Sequence, residues 1–418
     1  MREMKDSGVE WIGEIPCDWK LERSQWHLEE VNISNNPIQT NNVLSLTNKL
    51  GVVPYEEKGN QGNKSKENVY EYKLAYPNTI VANSMNILIG SVGLCDYFGC
   101  VSPVYYVFRA KKYNNIKFLN YVFQTVGFQR ELRKYANGIL EIRLRVSSSD
   151  ILKRFIPFPS EIEQQRIVEF LDRECGKIDG LKEDIQSQID TLEQYKRSVI
   201  TEAVTHGLNP SAPMKDSGVD YIDKIKSNWR ITKIGFVCSK LTRGFSAEDP
   251  ALICSNNGSV MLRDEEKACG KMVSEDNAMQ GIHIGDIAIH GMDTWHGAIG
   301  FSKIKGKITR VVHVCDSTED KRFIVYYLKS LAYQNVYKLI SNGVRGNTSD
   351  FRSWDKVKDI YICLPATKKE ENEICDYLDA QCENIDMIIA DKKSQIETLD
   401  GYKKSLIYEY VTGKKEVI

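Results

Sequence analysis

The residues of this chain whose types and spacing suit chemistry are amides and cations, not nucleophiles. Asn60-Gln61-Gly62-Asn63-Lys64-Ser65-Lys66 gathers three carboxamides and two lysines around a glycine. Carboxamides pair bidentately with an adenine edge, and cations suit phosphate or guanine. Arg143 and Arg145 follow Asn137-Gly138, and Arg345-Gly346-Asn347-Thr348 follows Asn342-Gly343. A glycine lets backbone approach a polyanion closely while a neighbouring arginine reaches for phosphate or base. Arg243 adds a further cation. A solvated loop has the same composition. Occurrence at equivalent places in the two halves of the chain sets the Asn-Gly-to-Arg segments level with that reading.

Catalytic constellations are missing. The Gly-Lys pairs at 176, 270, 306 and 413 lack the rest of a phosphate-binding loop. There is no Asn-Pro-Pro-aromatic motif to hold a target amine, no G-x-S-x-G elbow and no H-E-x-x-H. Glu71-Tyr72-Lys73 is a triplet that any chain this charged contains. His290-x-x-Asp293-x-x-His296 has ligand chemistry, but its counterpart in the first half (Asn83, Asn86, Ile89) has none. The 11 Cys form no C-x-x-C pair. No catalytic residue, metal or cofactor of its own is expected for this chain. Residues 1–20 are charged and lack an apolar leader, and no apolar run approaches the ~18 residues of a membrane span. The expectation is a cytoplasmic protein with reduced thiols.

The elements that must position the loops come in duplicate. Met4-Lys5-Asp6-Ser7-Gly8-Val9-Glu10-Trp11-Ile12 recurs as Met214-Lys215-Asp216-Ser217-Gly218-Val219-Asp220-Tyr221-Ile222. Gly90, Gly93, Asn137-Gly138 and Pro159 recur as Gly297, Gly300, Asn342-Gly343 and Pro365, at nearly constant offset. A period of about 207 residues is too long for a solenoid and marks a two-part unit used twice. The better-matched part reads as a long helix. Leu171, Glu174, Ile178, Leu181, Ile185, Gln188, Leu192, Tyr195 and Val199 follow the three-four spacing of a coiled-coil seam. So do Leu378, Gln381, Ile385, Ile388, Lys392, Gln395, Leu399, Tyr402 and Leu406. Gln188 and Gln395 suit a register device within it. Pro159 and Pro365 precede these helices, and Gly207 and Gly413 stand near their ends. The variable parts read as mixed α/β. Strands are expected at Thr79–Ala82, Val104–Phe108, Asp286–His290 and Arg310–Val314, and helical stretches at Phe118–Tyr135 and Phe323–Leu339.

The formal net charge is -1, but it is unevenly spread. Residues 20–160 hold 18 Lys+Arg against 11 Asp+Glu, and 210–366 hold 22 against 18. The helical stretches 161–209 and 367–418 hold 6 against 11 and 8 against 12. Basic variable blocks on acidic helices are what a polyanion-reading part on a protein-docking part requires.

With these residues in view, the sequence resembles the specificity subunit of type I restriction–modification enzymes over its whole length. The resemblance is carried by Ser7-Gly8-Val9-Glu10-Trp11-Ile12-Gly13-Glu14-Ile15-Pro16 with Trp19, by Ile156-Pro157-Phe158-Pro159, and by Glu163-Gln164-Gln165-Arg166-Ile167-Val168-Glu169-Phe170-Leu171-Asp172. The second copy departs from it, with Lys224-Ile225-Lys226 for Gly-Glu-Ile-Pro and Lys369-Glu370-Glu371-Asn372-Glu373 for Glu-Gln-Gln-Arg. It implies an α+β chain: two mixed α/β target-recognition domains in tandem duplication, separated and fixed by two long antiparallel coiled-coil helices. The first recognition domain would span 1–160, with a conserved segment at 4–19, and the first helix 161–208. The second domain would span 209–366 and the second helix 367–418. It also implies that each domain reads half of a split site in double-stranded DNA. Two methyltransferase subunits carrying S-adenosylmethionine would dock on the chain, and two translocase–nuclease subunits using ATP and Mg could join them. A coiled-coil scaffold with protein-binding lobes is the alternative. If Arg345 reads DNA, Arg345→Ala weakens binding or relaxes one half-site in a gel shift, with subunit assembly intact. Unchanged affinity and motif would remove the assignment.

Overall fold

The two halves fold the same succession of elements, in a computed structural model that describes residues 2–47, 51–58, 68–111, 115–138, 144–263, 278–341 and 350–417. The chain divides into two units, 1–185 with 393–418, and 186–392. Each unit thus holds one variable block, the first part of the helix that follows it and the last part of the other long helix.

In the first unit a four-stranded antiparallel sheet runs in the order Leu28–Glu30, Tyr105–Ala110, Thr79–Asn83, Val92–Cys95. Thr79–Asn83 is buried throughout and is rich in β-branched residues, as a central strand requires. A hairpin of Leu44–Thr47 and Gly51–Pro54 and a pair of Lys73–Ala75 and Gly99–Val101 complete the β layer. The helices Ile116–Gln124 and Val126–Arg133 cover it. They are one helical stretch in the sequence, broken at Thr125, whose extended backbone ends the first and whose hydroxyl accepts the Phe128 amide of the second. Phe155–Phe158 then returns to pair with Lys20–Arg23.

The second unit repeats this. Its four-stranded sheet is Cys238–Lys240, Val312–Ser317, Ile287–His290, Ile299–Phe301. The hairpin is Leu252–Cys254 with Val260–Leu262, and the extra pair is Met279–Ile282 with Gly306–Thr309. The covering helices are Lys321–Tyr333 and Val336–Ile340, here broken at Asn335, in the left-handed region at φ 59°. Tyr361–Leu364 returns to Arg230–Lys233. The four strands expected from sequence are all present, each within two or three residues of its expected bounds.

The long helices span Glu161–His206 and Lys368–Val411. Gly207 and Gly413, at φ 71° and 70°, follow as the left-handed stop the sequence signals. Within each unit the two helical segments run antiparallel. In the first, Lys403 Nζ donates to Asp179 at 2.6 and 2.8 Å, and Lys182 pairs with Asp400. In the second, Lys196 Nζ donates to Asp386 at 2.6 Å and Lys392 Nζ to Gln188 Oε1 at 2.5 Å. Lys403–Asp179 and Lys196–Asp386 are the same pair in the two copies.

The seam differs from the expected one in half its positions. Leu171, Ile178, Ile185, Leu192 and Val199 do face inward, as do Leu378, Ile385, Lys392, Leu399 and Leu406. The residues between them do not follow the expectation. Leu181 is 52 % exposed, Tyr195 53 % and Tyr402 56 %, and Ile388, Gln188 and Gln395 are exposed too. Their inward neighbours are Cys175, Lys182, Ile189 and Lys196, and Cys382, Ile389, Ile396 and Lys403. Both phases share every seventh residue, so apolar content alone favoured Leu181 and Tyr195 over Lys182 and Lys196. The lysines fit because their stems lie against the partner helix while their ammonium groups reach its aspartates. Ile189→Ala should therefore cost about 2–4 kcal/mol in denaturant unfolding. Leu181→Ala should stay within about 0.5 kcal/mol. The reverse order would restore the original seam.

Candidate nucleic-acid interface

Each domain is fastened to its helix by side chains at matched positions. Trp19 Nε1 donates to Glu163 at 2.9 Å, and Trp229 Nε1 to Glu370 at 3.1 Å. Arg2 adds to the first pair and Lys226, at 2.7 Å, to the second. About two and a half turns further on, Tyr121 Oη donates to Asp172 and Tyr326 Oη to Asp379, both at 2.7 Å. Lys117 and Arg322 reach the same aspartates. The phenols sit high above their usual range because burial and the carboxylate both oppose their ionisation. These anchors account for Trp, Glu and Asp identities shared by the two halves, a signal that the repeat comparison held but that sequence reasoning did not use.

The departure from pattern in the second copy preserves this joint. Gln164 Oε1 accepts the Asn115 amide at 3.3 Å, and Glu371 Oε1 accepts the Asp320 amide at 2.9 Å. Asn115 and Asp320 are the N-caps of the covering helices. Gln and Glu thus hold the same helix start.

On this scaffold the segments that sequence reasoning singled out leave from equivalent points. Asn137 and Arg145 exchange backbone hydrogen bonds at 2.8 and 2.9 Å. Val146 N then donates to Ser84 O at 3.1 Å, matched by Phe351 N to Gly291 O at 3.0 Å. Arg145 is exposed there. Asn60, Gln61, Asn63, Lys64, Lys66, Arg143, Arg345, Asn347 and Thr348 lie outside the described residues. The hairpin preceding Asn60 is seated backbone to backbone. A Cβ on Gly93 would stand 3.3 Å from Gly51 Cα, and in the second copy a Cβ on Gly300 would stand 1.9 Å from Gly258 O. The second hairpin leads from Arg263 into residues 264–277, the counterpart in chain order of the Asn60–Lys66 loop, which sequence reasoning did not select.

Arg243 is engaged within its own domain. Its Nε and Nη2 grip the buried Asp286 carboxylate at 2.6 and 2.7 Å, and Asp286 also accepts the His283 amide at 2.8 Å. A fork occupied this way packs the second domain together. His290 likewise serves the fold. Its Nδ1 accepts the amides of Met292 and Asp293, as Asn83 Oδ1 accepts those of Met85 and Asn86 in the first copy. Burial lowers the His290 pKa, keeping that nitrogen free to accept. Among the described residues no three His, Cys, Asp or Glu side chains come together as metal ligands. Among them, too, no helix is long and apolar enough to cross a membrane.

No protein-family model matches the sequence, and neither does any curated protein sequence. Solved structures do match. A chain from the study of complex assembly and conformational transition of the type I R-M system superposes with a TM-score of 0.65 at 12 % identity, over 96 % of this chain and 99 % of that one. The fold is that of a type I restriction–modification component. The HsdS subunit from Thermoanaerobacter tengcongensis matches at TM-score 0.45 and 13 % identity, over 96 % and 98 % of the two chains. The type I S subunit from M. genitalium matches at 0.37 and 14 %, over 94 % and 96 %. The α+β architecture with two recognition-type domains and long helices agrees with what the sequence resemblance implied.

The Gln164/Glu371 exchange makes the joint testable. Burial holds the Glu371 carboxyl above its usual range, against the pull of Lys368 and the Asp320 amide. The folded chain then binds this proton more tightly than the unfolded chain. Its contribution to stability is greatest below the ordinary carboxylate range and declines as pH rises through and above it. Glu371→Gln removes that decline. The melting temperature of the variant relative to the native chain should rise from about pH 4 to about pH 7. A falling difference would show that Glu371 is stabilised as an anion, and a flat one that folding leaves its proton affinity unchanged.

Proposed function

We propose that this chain is the specificity subunit of a type I restriction–modification complex, each recognition domain reading one half of an asymmetric, bipartite site in double-stranded DNA. The observation that supports this most is a duplicated scaffold carrying blocks that are basic and dissimilar, each joined by the same anchors to a long acidic helix. Matched anchors present two domains alike, and dissimilar loops let each read different bases. The phosphate contacts of the basic blocks would supply salt-dependent affinity, and base edges the specificity. The chain itself performs no chemistry in this reading. Methylation falls to two methyltransferase subunits with S-adenosylmethionine, and cleavage to translocase–nuclease subunits with ATP and Mg, in the cytoplasm.

The exposed faces of the long helices suit the docking of those subunits. Tyr195 and Tyr402 are identical in the two copies, yet more than half exposed. An exposed tyrosine kept in both copies fits a partner bound twice, since tyrosine recurs at interface hot spots.

The helices would act as the ruler between half-sites, which in two-fold readers lie about one DNA turn, ~34 Å, apart. A heptad inserted at Gln188 together with one at Gln395 preserves both Lys–Asp pairs and adds about 10 Å, or roughly three base pairs. Methylation-sensitive sequencing of DNA from cells carrying the chain and its methyltransferase should show a longer spacer between unchanged half-sites. Altered half-sites would refute the ruler. A gel shift of the chain with its methyltransferase should weaken steeply with salt, whereas binding that ignores salt, or none, would favour a protein-binding scaffold.

A further inference from the structure

The first domain holds an open cavity of about 440 Å³ that none of the roles above uses. Four cations and two acids line it: Arg23, Lys134, Lys153 and Arg154, with Glu10 and Glu131. Lys134 takes up both acids, Glu10 at 2.7 Å and Glu131 at 2.9 Å. Arg154 lies 3.5 Å from the centre of the Tyr135 ring, donates from Nε to the Asp150 carbonyl at 2.9 Å and stands 4.0 Å from Glu131. Arg23 lies over the Phe155 ring, 5.3 Å from its centre, and Lys153 is exposed. Among the described residues neither Arg23 nor Lys153 has a carboxylate partner. A third donor stands unused. Trp11 belongs to the cavity wall and is 8 % exposed, and its Nε1–H has no acceptor. A buried donor left in that state is costly.

The second copy shows that the fold does not require this arrangement. The places correspond, because Arg23 pairs with Phe155 as Lys233 pairs with Tyr361. Ser24 N also donates to Arg154 O as Ile234 N does to Ile360 O, both at 2.9 Å. Lys233 is neutralised at 2.9 Å by Asp359, which stands where the first copy has Lys153. Tyr221, at the place of Trp11, accepts the Tyr361 amide on its hydroxyl at 2.7 Å. An indole can only donate. The second copy thus closes its charges and donors on itself. The first sets a lysine where the balancing acid would be and a donor where the acceptor would be. Both changes call for the same thing, an external group with negative charge and acceptor oxygens. Four cations against two acids leave two positive charges. Inorganic phosphate or a phosphate monoester carries about two negative charges near neutral pH, whereas a carboxylate or a DNA phosphodiester carries one.

We infer that this cavity binds a phosphate dianion, inorganic or at the end of a nucleotide, with Arg23 and Lys153 as its charge partners and Trp11 as a neutral donor. The site belongs to the first copy alone, and it does not depend on the function proposed above.

The full chain is titrated calorimetrically near neutral pH with inorganic phosphate, adenosine monophosphate, dimethyl phosphate and acetate in turn. One equivalent of inorganic phosphate or adenosine monophosphate should bind, about tenfold or more tighter than dimethyl phosphate or acetate, and the tighter of the two names the source. Lys153→Asp gives the first copy the charge pattern of the second. It should weaken phosphate binding about tenfold or more without lowering the melting temperature, and Lys153→Arg should keep the binding. Arg23→Gln, which creates no new ion pair, should weaken it likewise, so a rearrangement in one variant cannot account for both. No saturable phosphate binding to the native chain, or native affinity in both Lys153→Asp and Arg23→Gln, overturns the site. Dimethyl phosphate or acetate bound as tightly as phosphate overturns the dianion, and DNA affinity lost together with it in Lys153→Asp reassigns the cavity to the DNA backbone.

Discussion

A helix of more than forty residues whose seam is partly lysine cannot hold its place in water alone. Everything else in this molecule follows from how that helix is partnered. Lys196 with Asp386 and Lys403 with Asp179 set the register of the antiparallel segments, and apolar residues between them exclude water. Each pair is half exposed, so each contributes no more than about 1 kcal/mol. Their value is positional. A slip by one turn would set lysine against isoleucine at several levels at once. Because each unit includes the end of the other repeat's helix, each domain core is closed partly by that helix end. Leu406, Ile407 and Val411 join the core around Trp19, and Ile200, Ala203 and Val204 the core around Trp229.

Much of this was legible in the sequence because duplication shows which residues the scaffold needs. The tandem order, the helices and their glycine stops and the central strands all follow from pattern. The seam misled because heptad spacing has two solutions that share Leu171, Ile178, Ile185 and Leu192. Identity between copies was taken to mean burial. For Gln188, Gln395, Tyr195 and Tyr402 it means exposure kept in duplicate. Burial of lysine stems, which decides the phase, depends on where the opposing aspartates lie, and no single helix carries that information.

The residues proposed to read bases are less legible for a different reason. A loop that binds DNA and a loop that is merely solvated have the same composition until a scaffold constrains them. Arg243 is also held within its own domain, because Asp286 lies forty-three residues away in sequence and in contact in space. His290 has a ligand's chemistry and caps a turn, as Asn83 does in the first copy. In the same way Lys73 and Gln280 both donate to the strand carbonyl opposite, of Tyr105 and of Val312. The backbone asks for a donor or an acceptor at these places, and several residue types can answer.

The glycine contacts beneath the hairpins carry this furthest. Where Gly258 meets Gly300, main chain rests directly on main chain. A foundation made that way is indifferent to whatever is built above it. Even one methyl group on Gly300 would unseat the hairpin. The domain is thus free to acquire new vocabulary without relearning how to fold.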